Sequence, residues 1–151
     1  MKTIRPAHAN DIEFLARSSF DDFKKSVPFA TTIEKLQSNL QMFCFNHDAK
    51  LTVVSVDNEL CGYLAASLSK FMPWNSDLIA IETLFYVFPK YRKTKVAHML
   101  MNDFIYWAIQ MDCTLAIVTS RAVLDGERVG KFYKRFGFEE MDTNYTLRLS
   151  K

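Results

Sequence analysis

An α/β fold, with helices covering a sheet of mixed direction, is predicted by three observations. Apolar residues recur at helical spacing after a short first strand. Dense β-branched and fully apolar runs follow. From there a helix, a strand, a helix and a last strand alternate toward the C-terminus. With 151 residues, of which 49% are hydrophobic and 14% aromatic, the chain can bury a core and is not of disordered composition. Gly and Pro number four each, and no stretch reads as a linker or repeat, so one domain over residues 1–151 is expected.

In chain order, Lys2 to Ala7 reads as a first strand. Asn10 with Glu13 three residues on has capping-box spacing, and Ile12, Leu15, Ala16, Ser19 and Phe23 follow as a helical stripe that Pro28 ends. Thr31 and Glu34 repeat the cap signal before Ile33, Leu36, Leu40 and Phe43. Leu51 to Val56 is a β-branched strand, Asp57-Asn58 a turn, and Leu60 to Leu68 its partner. Leu78 to Val87 (LIAIETLFYV) is nearly all apolar, as a strand buried on both faces requires, and Pro89 stops it. Helical period returns from about Arg92, with Ala97, Leu100, Met101, Phe104, Ala108 and Met111 on one face. Cys113 to Thr119 is another buried strand. Val129, Phe132, Tyr133 and Phe136 mark a short helix closed by Gly137, and Tyr145 to Leu149 alternates as a final strand. The predicted order is β-α-α-β-β-β-α-β-α-β.

Charge and cysteine content exclude several classes. Lys plus Arg is 19 against 17 Asp plus Glu, and a net charge of +2 gives no reason to expect a nucleic-acid partner. Cys44, Cys61 and Cys113 are odd in number and lack metal-ligand spacing, which suits a reduced protein without a metal. No apolar run has signal-peptide or membrane-span length, so a soluble, cytoplasmic protein without a membrane partner is expected.

Lys90 to Ala97 (KYRKTKVA) joins the buried strand to a helix, and it crowds Lys90, Arg92, Lys93 and Lys95 at the helix N-terminus. Cations are disfavoured there by ~0.3–1 kcal/mol each, because that end already carries positive partial charge. A bound anion such as a pyrophosphate would account for them, since free N–H groups also point outward; a solvated basic turn screened by salt is the other reading. Neither Gly-x-Gly-x-x-Gly nor a Walker-type Gly-Lys-Ser/Thr occurs.

Phe85-Tyr86-Val87-Phe88-Pro89-Lys90-Tyr91-Arg92 followed by Lys93-Thr94-Lys95-Val96-Ala97 resembles the strand, Tyr-Arg and Arg/Gln-x-x-Gly-x-Gly/Ala loop of the GNAT acetyltransferase superfamily. Gly130 to Phe138 (GKFYKRFGF) resembles its Tyr-x-x-x-Gly-Phe segment. The likeness covers almost the whole chain. It is most similar to a group common in bacterial and phage genomes, which shares a Glu-Arg-Val-Gly-Lys-x-Tyr run seen here as Glu127 to Tyr133. Two positions depart: Lys95 stands where the loop glycine is usual, and Gly126 where many relatives have Asn.

The resemblance implies a mostly antiparallel central sheet flanked by about four helices. It also implies an N-acetyltransferase that moves acetyl from acetyl-CoA to a primary amine by direct attack. Arg92, Lys93, Thr94, Lys95, Val96 and Ala97 would hold the cofactor phosphates. Backbone around Phe85, Tyr86 and Val87, at a strand bulge, would polarise the thioester. Tyr133 is the candidate acid for the thiolate, the other reading being a core tyrosine on the Val129/Phe132/Phe136 stripe. Glu82, the only charge within Leu78 to Val87, is either the base for the amine or a structural carboxylate paired to a cation. Family analogy also sets Phe71, Trp74 and Tyr145 near a channel for a small-molecule or peptide amine and makes a homodimer possible. A catalytically silent CoA-binding module acting through a protein partner is the alternative that Lys95 and Gly126 sustain.

Overall fold

The computed structural model describes residues 1–27, 30–120 and 125–149. Pro28 and the centre of the loop expected between Ser120 and Gly126 lie outside them. The described elements are β1 (Lys2–Pro6), α1 (Ile12–Lys24), α2 (Ile33–Phe45), β2 (Ala49–Val56), β3 (Glu59–Lys70), β4 (Leu78–Val87), α3 (Val96–Gln110), β5 (Leu115–Ile117) and α4 (Gly126–Arg135). Short 3-10 turns at Ala9–Asp11 and Pro89–Tyr91 lead into α1 and α3. The strands lie in sequence order in one sheet, antiparallel except for the parallel pair β4 and β5. The mixed, mostly antiparallel sheet with four helices is as the sequence predicts. No helix among the described residues is long and apolar enough to cross a membrane.

Local chemistry explains most boundaries. The β2–β3 hairpin turns through Asp57 and Asn58 at φ 50° and 68°, the paired left-handed conformation that a tight two-residue loop needs. The α1 cap is not Asn10 with Glu13. Asp11 accepts the His8 N–H at 2.7 Å and two guanidinium bonds from Arg5 at 2.8 and 3.1 Å, so one carboxylate serves the helix start and ties it to β1. The α2 cap is Thr32, one residue past the expected Thr31, with its hydroxyl accepting the Lys35 N–H at 3.3 Å.

The sheet carries a core on each face. On one, Leu15, Ala16 and Leu40 of α1 and α2 pack over Val53, Tyr63, Ala65 and Tyr86. On the other, Val96, Leu100, Met101, Phe104 and Trp107 of α3, with Tyr133 of α4, pack over Val54, Leu64, Ala66 and Ala80. Gly62 lets β3 and β4 close under α3, since a Cβ there would stand 2.8 Å from the Tyr86 carbonyl and 3.2 Å from a Val96 methyl.

Two strand expectations are corrected. The strand expected over Cys113 to Thr119 shortens to Leu115–Ile117, because Cys113 still donates to Ala108 at the end of α3 and Thr119 turns its N–H to Glu82. The final strand expected over Tyr145 to Leu149 does not form. Alternation makes a strand only where a ladder partner and a face to bury exist, and Tyr145, Leu147 and Leu149 stand 93%, 82% and 85% exposed.

Candidate active site

The site is built where β4 and β5 part. Among the described residues they pair through Ile79/Leu115, Ala80/Ala116 and Ile81/Ile117, after which β4 runs on from Glu82 without β5 beside it. The Phe88 N–H donates to the Cys61 carbonyl at 2.9 Å, and Val87 faces Gly62. In an antiparallel ladder that makes Val87 and Gly62 a pair without mutual hydrogen bonds, so the N–H and C=O of Val87 turn away from β3. Two residues back, Phe85 turns the same way. Tyr86, between them, points its backbone at Tyr63 of β3, so of the expected backbone donors Phe85 and Val87 face the open edge and Tyr86 does not.

The bulge sits earlier than expected. Ala65 faces Leu84 and Ala66 faces Glu82, which leaves Thr83 as the extra residue. One inserted residue reverses the alternation beyond it. Glu82 and Phe85, three apart, therefore share the face toward α3 and α4, while Tyr86 takes the face toward α1.

Glu82 is 6% exposed and Tyr133 5%. The backbone of Thr119 links them: its N–H donates to Glu82 Oε2 at 3.3 Å, and its carbonyl accepts the Tyr133 hydroxyl at 3.1 Å. The Tyr133 ring stacks on Phe85 at 6.5 Å between centroids and meets Phe132 and Phe138 at 5.9 Å. Burial, and secondly the Glu82 charge, push the Tyr133 phenol well above its ordinary range. The hydroxyl is thus a firmly held donor, further from a thiol's range than a free phenol.

At the β4–α3 junction the cations divide. Lys90 pairs with Glu59 at 3.1 Å, and Arg92 with Asp22 at 3.0 Å. Lys93 and Lys95 are exposed and make no ion pair among the described residues. Thr94 bends the loop into α3: its hydroxyl donates to Tyr91 O at 2.7 Å and accepts the Val96 N–H at 3.3 Å. Ala97 and His98 follow in the first turn, where N–H groups lack intrahelical acceptors. Lys95 has an ordinary φ of −76°, so this backbone makes no conformational demand for the glycine usual there.

Other candidates stand apart. Trp74 is 82% exposed and, like Phe71 and Tyr145, forms no described ring contact with Glu82, Phe85 or Tyr133. His98 packs its exposed ring against Phe132 and Phe136. Arg128, Lys131, Lys134 and Arg135 form a solvated face of α4. Cys61 is a core residue as expected; Cys113 is only half-buried and lies before β5. Sequence reasoning missed Asp22, whose carboxylate reaches Arg92 and the Tyr86 hydroxyl, at 2.6 Å, across a gap of more than sixty positions. It missed the backbone of Thr119 as well. Neither carries a local signal.

Comparison with known proteins identifies the family and the fold. A profile described as the acetyltransferase (GNAT) family matches residues 12–138. Among solved structures, a transcriptional regulator from Bacillus halodurans C-125 aligns with a TM-score of 0.81 at 17% identity, over 99% of this chain and 100% of that one. A predicted acetyltransferase with acetyl-CoA from Clostridium acetobutylicum gives 0.78 at 18%, over 99% and 97%. Glucosamine-6-phosphate N-acetyltransferase from Arabidopsis thaliana gives 0.72 at 13%, over 99% of each. At these identities it is the TM-scores, over almost the whole of each chain, that show a shared fold. No protein of curated function matches the sequence. The matched span runs from the first residue of α1 past the end of α4 and takes in the whole β4–α3 junction, and on that ground the chain belongs to the GNAT acetyltransferase family.

Proposed function

We propose that this protein is an N-acetyltransferase that moves acetyl from acetyl-CoA to a primary amine by direct attack. The observation that carries the reading is the parting of β4 from β5 beyond Ile81, which turns the Phe85 and Val87 amides to an open edge beside the Glu82–Thr119–Tyr133 cluster. An open, fixed strand edge is what a thioester needs. Its N–H groups are held in place before reaction and meet charge developing on the carbonyl oxygen without reorganising. The first turn of α3, with Lys93 and Lys95, suits the cofactor's phosphates, since dipole, free amides and unpaired ammonium groups act together.

The chemistry balances within this cluster. The amine nitrogen bonds to the thioester carbon and the C–S bond breaks. Glu82 accepts the amine's surplus proton through water, and Tyr133 gives its proton to the departing sulfur. Amide and CoA thiol are the products, and the proton on Glu82 returns to the Tyr133 phenolate through solvent, which restores both groups. The two proton movements help one another: Glu82 charge raises the Tyr133 phenol, so a proton arriving on Glu82 removes that influence and makes Tyr133 a better acid as the thiolate forms.

A catalytically silent CoA-binding module acting through a protein partner is the second reading. It is favoured by the Tyr133 hydroxyl being engaged with Thr119 in a buried position. Assay of CoA release against a panel of primary amines and peptides, with calorimetry of CoA binding, separates the two. Turnover with any amine supports the transferase, binding without turnover the silent module, and absence of both refutes each.

A further inference from the structure

Arg92 is the junction cation that the sequence aims at the cofactor, yet its guanidinium is folded back over the edge of β4. Nε donates to the Val87 carbonyl at 3.0 Å, Nη2 donates to Asp22 Oδ2 at 3.0 Å, and the group lies 5.4 Å from the centre of the Tyr86 ring. It thus covers the carbonyl that Val87 turns to the open side. Asp22 is held in turn by the Tyr86 hydroxyl at 2.6 Å on Oδ2 and by Lys25 at 3.7 Å on Oδ1. The Tyr86 hydroxyl, then Arg92, draw the Asp22 carboxyl below its usual range, while burial and Asp22 push Tyr86 up to about 12, so the carboxylate is charged and the phenol a donor near neutrality.

We propose that Asp22 positions Arg92 as an internal occupant of the cofactor edge, and that the cofactor's phosphates compete with Asp22 for the guanidinium. This rests on the reading that acetyl-CoA binds at the β4–α3 junction. Side-chain exposures of 46% for Arg92 and 33% for Asp22 make the pair a screened, modest one. It is strong enough to set a resting orientation and weak enough to yield to a phosphate already drawn by Lys93 and Lys95. Asp22 keeps Tyr86 and Lys25 when Arg92 leaves, so the exchange strands no buried charge and reverses on release. Swinging away also frees the Val87 carbonyl, so a bound cofactor gains a guanidinium and an acceptor in one movement.

Calorimetry with CoA as the probe, at fixed low ionic strength, tests the proposal on the native protein, Asp22→Asn, Arg92→Ala and the double variant. Asp22→Asn is expected to tighten binding about two- to fivefold, the scale of a partly exposed ion pair, and to change nothing in the Arg92→Ala background. Weaker or unchanged binding in Asp22→Asn overturns the proposal. So does equal tightening in both backgrounds, which marks a general effect of removing negative charge. A native protein that binds no CoA overturns the acetyltransferase reading itself; native binding with a flat Asp22→Asn overturns only the competition. NMR of the Arg92 Nε–H needs no variant. Its signal should be slow to exchange in the free protein and move on CoA addition, and a signal that CoA leaves in place counts against the exchange.

Discussion

At the scale of single residues, Tyr133 and Glu82 are joined through the backbone of one residue, Thr119, and their roles separate by experiment. Tyr133→Phe keeps the ring on Phe85 and Phe138 and loses one hydrogen bond to Thr119, at a cost of about 1 kcal/mol in stability. As the proton donor, it should lose ~10²-fold or more in kcat with a smaller change in KM for acetyl-CoA. Stopped assays over an acetyl-CoA range check this, and full kcat in the variant returns Tyr133 to the core. Gly62 carries a different prediction. A methyl group at this position meets the backbone of Tyr86 at 2.8 Å, which cannot rotate away. Gly62→Ala should therefore cost about 1–3 kcal/mol in denaturant unfolding and, by displacing the Phe85–Val87 edge, weaken CoA binding as well.

At the scale of elements, an aspartate stands at the start of α1 and another after the end of α3, and they act in opposite senses. Asp11 is drawn below its usual range by the Arg5 guanidinium and then by the His8 amide, against a raising effect of burial. The native carboxylate releases its proton more readily than the unfolded one. Its stabilisation is therefore complete above the unfolded value near ~3.9 and is lost as pH falls through the lower folded value. Asp11→Asn should cost about 1–2 kcal/mol at pH 7, with the gap to the native protein closing in acid below pH ~4; a gap constant down to pH 2 would assign the loss to packing. Asp112 is the reverse case. It follows α3 with φ 58°, where the Asp112 and Cys113 N–H groups close the helix on Ile109 and Ala108. A side chain is strained in that conformation and a negative charge is ill placed at a helix C-terminus. Asp112→Gly should raise stability by about 1 kcal/mol, read as a higher melting temperature with CoA binding unchanged.

At the scale of the whole molecule, a net charge of +2 supplies little long-range field, so attraction for an anionic cofactor must come from the junction itself. Glu59 occupies Lys90 and Asp22 occupies Arg92, which leaves Lys93 and Lys95. Lys93→Glu and Lys95→Glu should each weaken CoA binding several-fold more than Lys90→Glu and flatten its salt dependence. Equal effects at the three positions would mean that only summed charge matters.

Periodicity and turn chemistry alone determined the α/β class, the order of nine elements, the Asp57-Asn58 hairpin, the Gly137 helix stop and the basic strand–helix junction, because each is set by residues within a turn or two of one another. Resemblance to the GNAT motifs pointed to Phe85, Tyr86, Val87, Arg92 and Tyr133, and a lone charge in an apolar strand pointed to Glu82. What those residues touch was decided only by the tertiary structure. Thr83 is one threonine between Glu82 and Leu84, and it becomes a bulge because β3 and β4 fall out of step there. Asp22 is one of two adjacent acids on α1, and it becomes the partner of Arg92 because α1 crosses the Tyr86 face of the sheet. Tyr145, Leu147 and Leu149 alternate as a strand does, yet stay outside the sheet because a ladder needs a second chain segment beside it. A pattern in sequence states what a segment can do next to a suitable neighbour; the folded chain determines which neighbour it has.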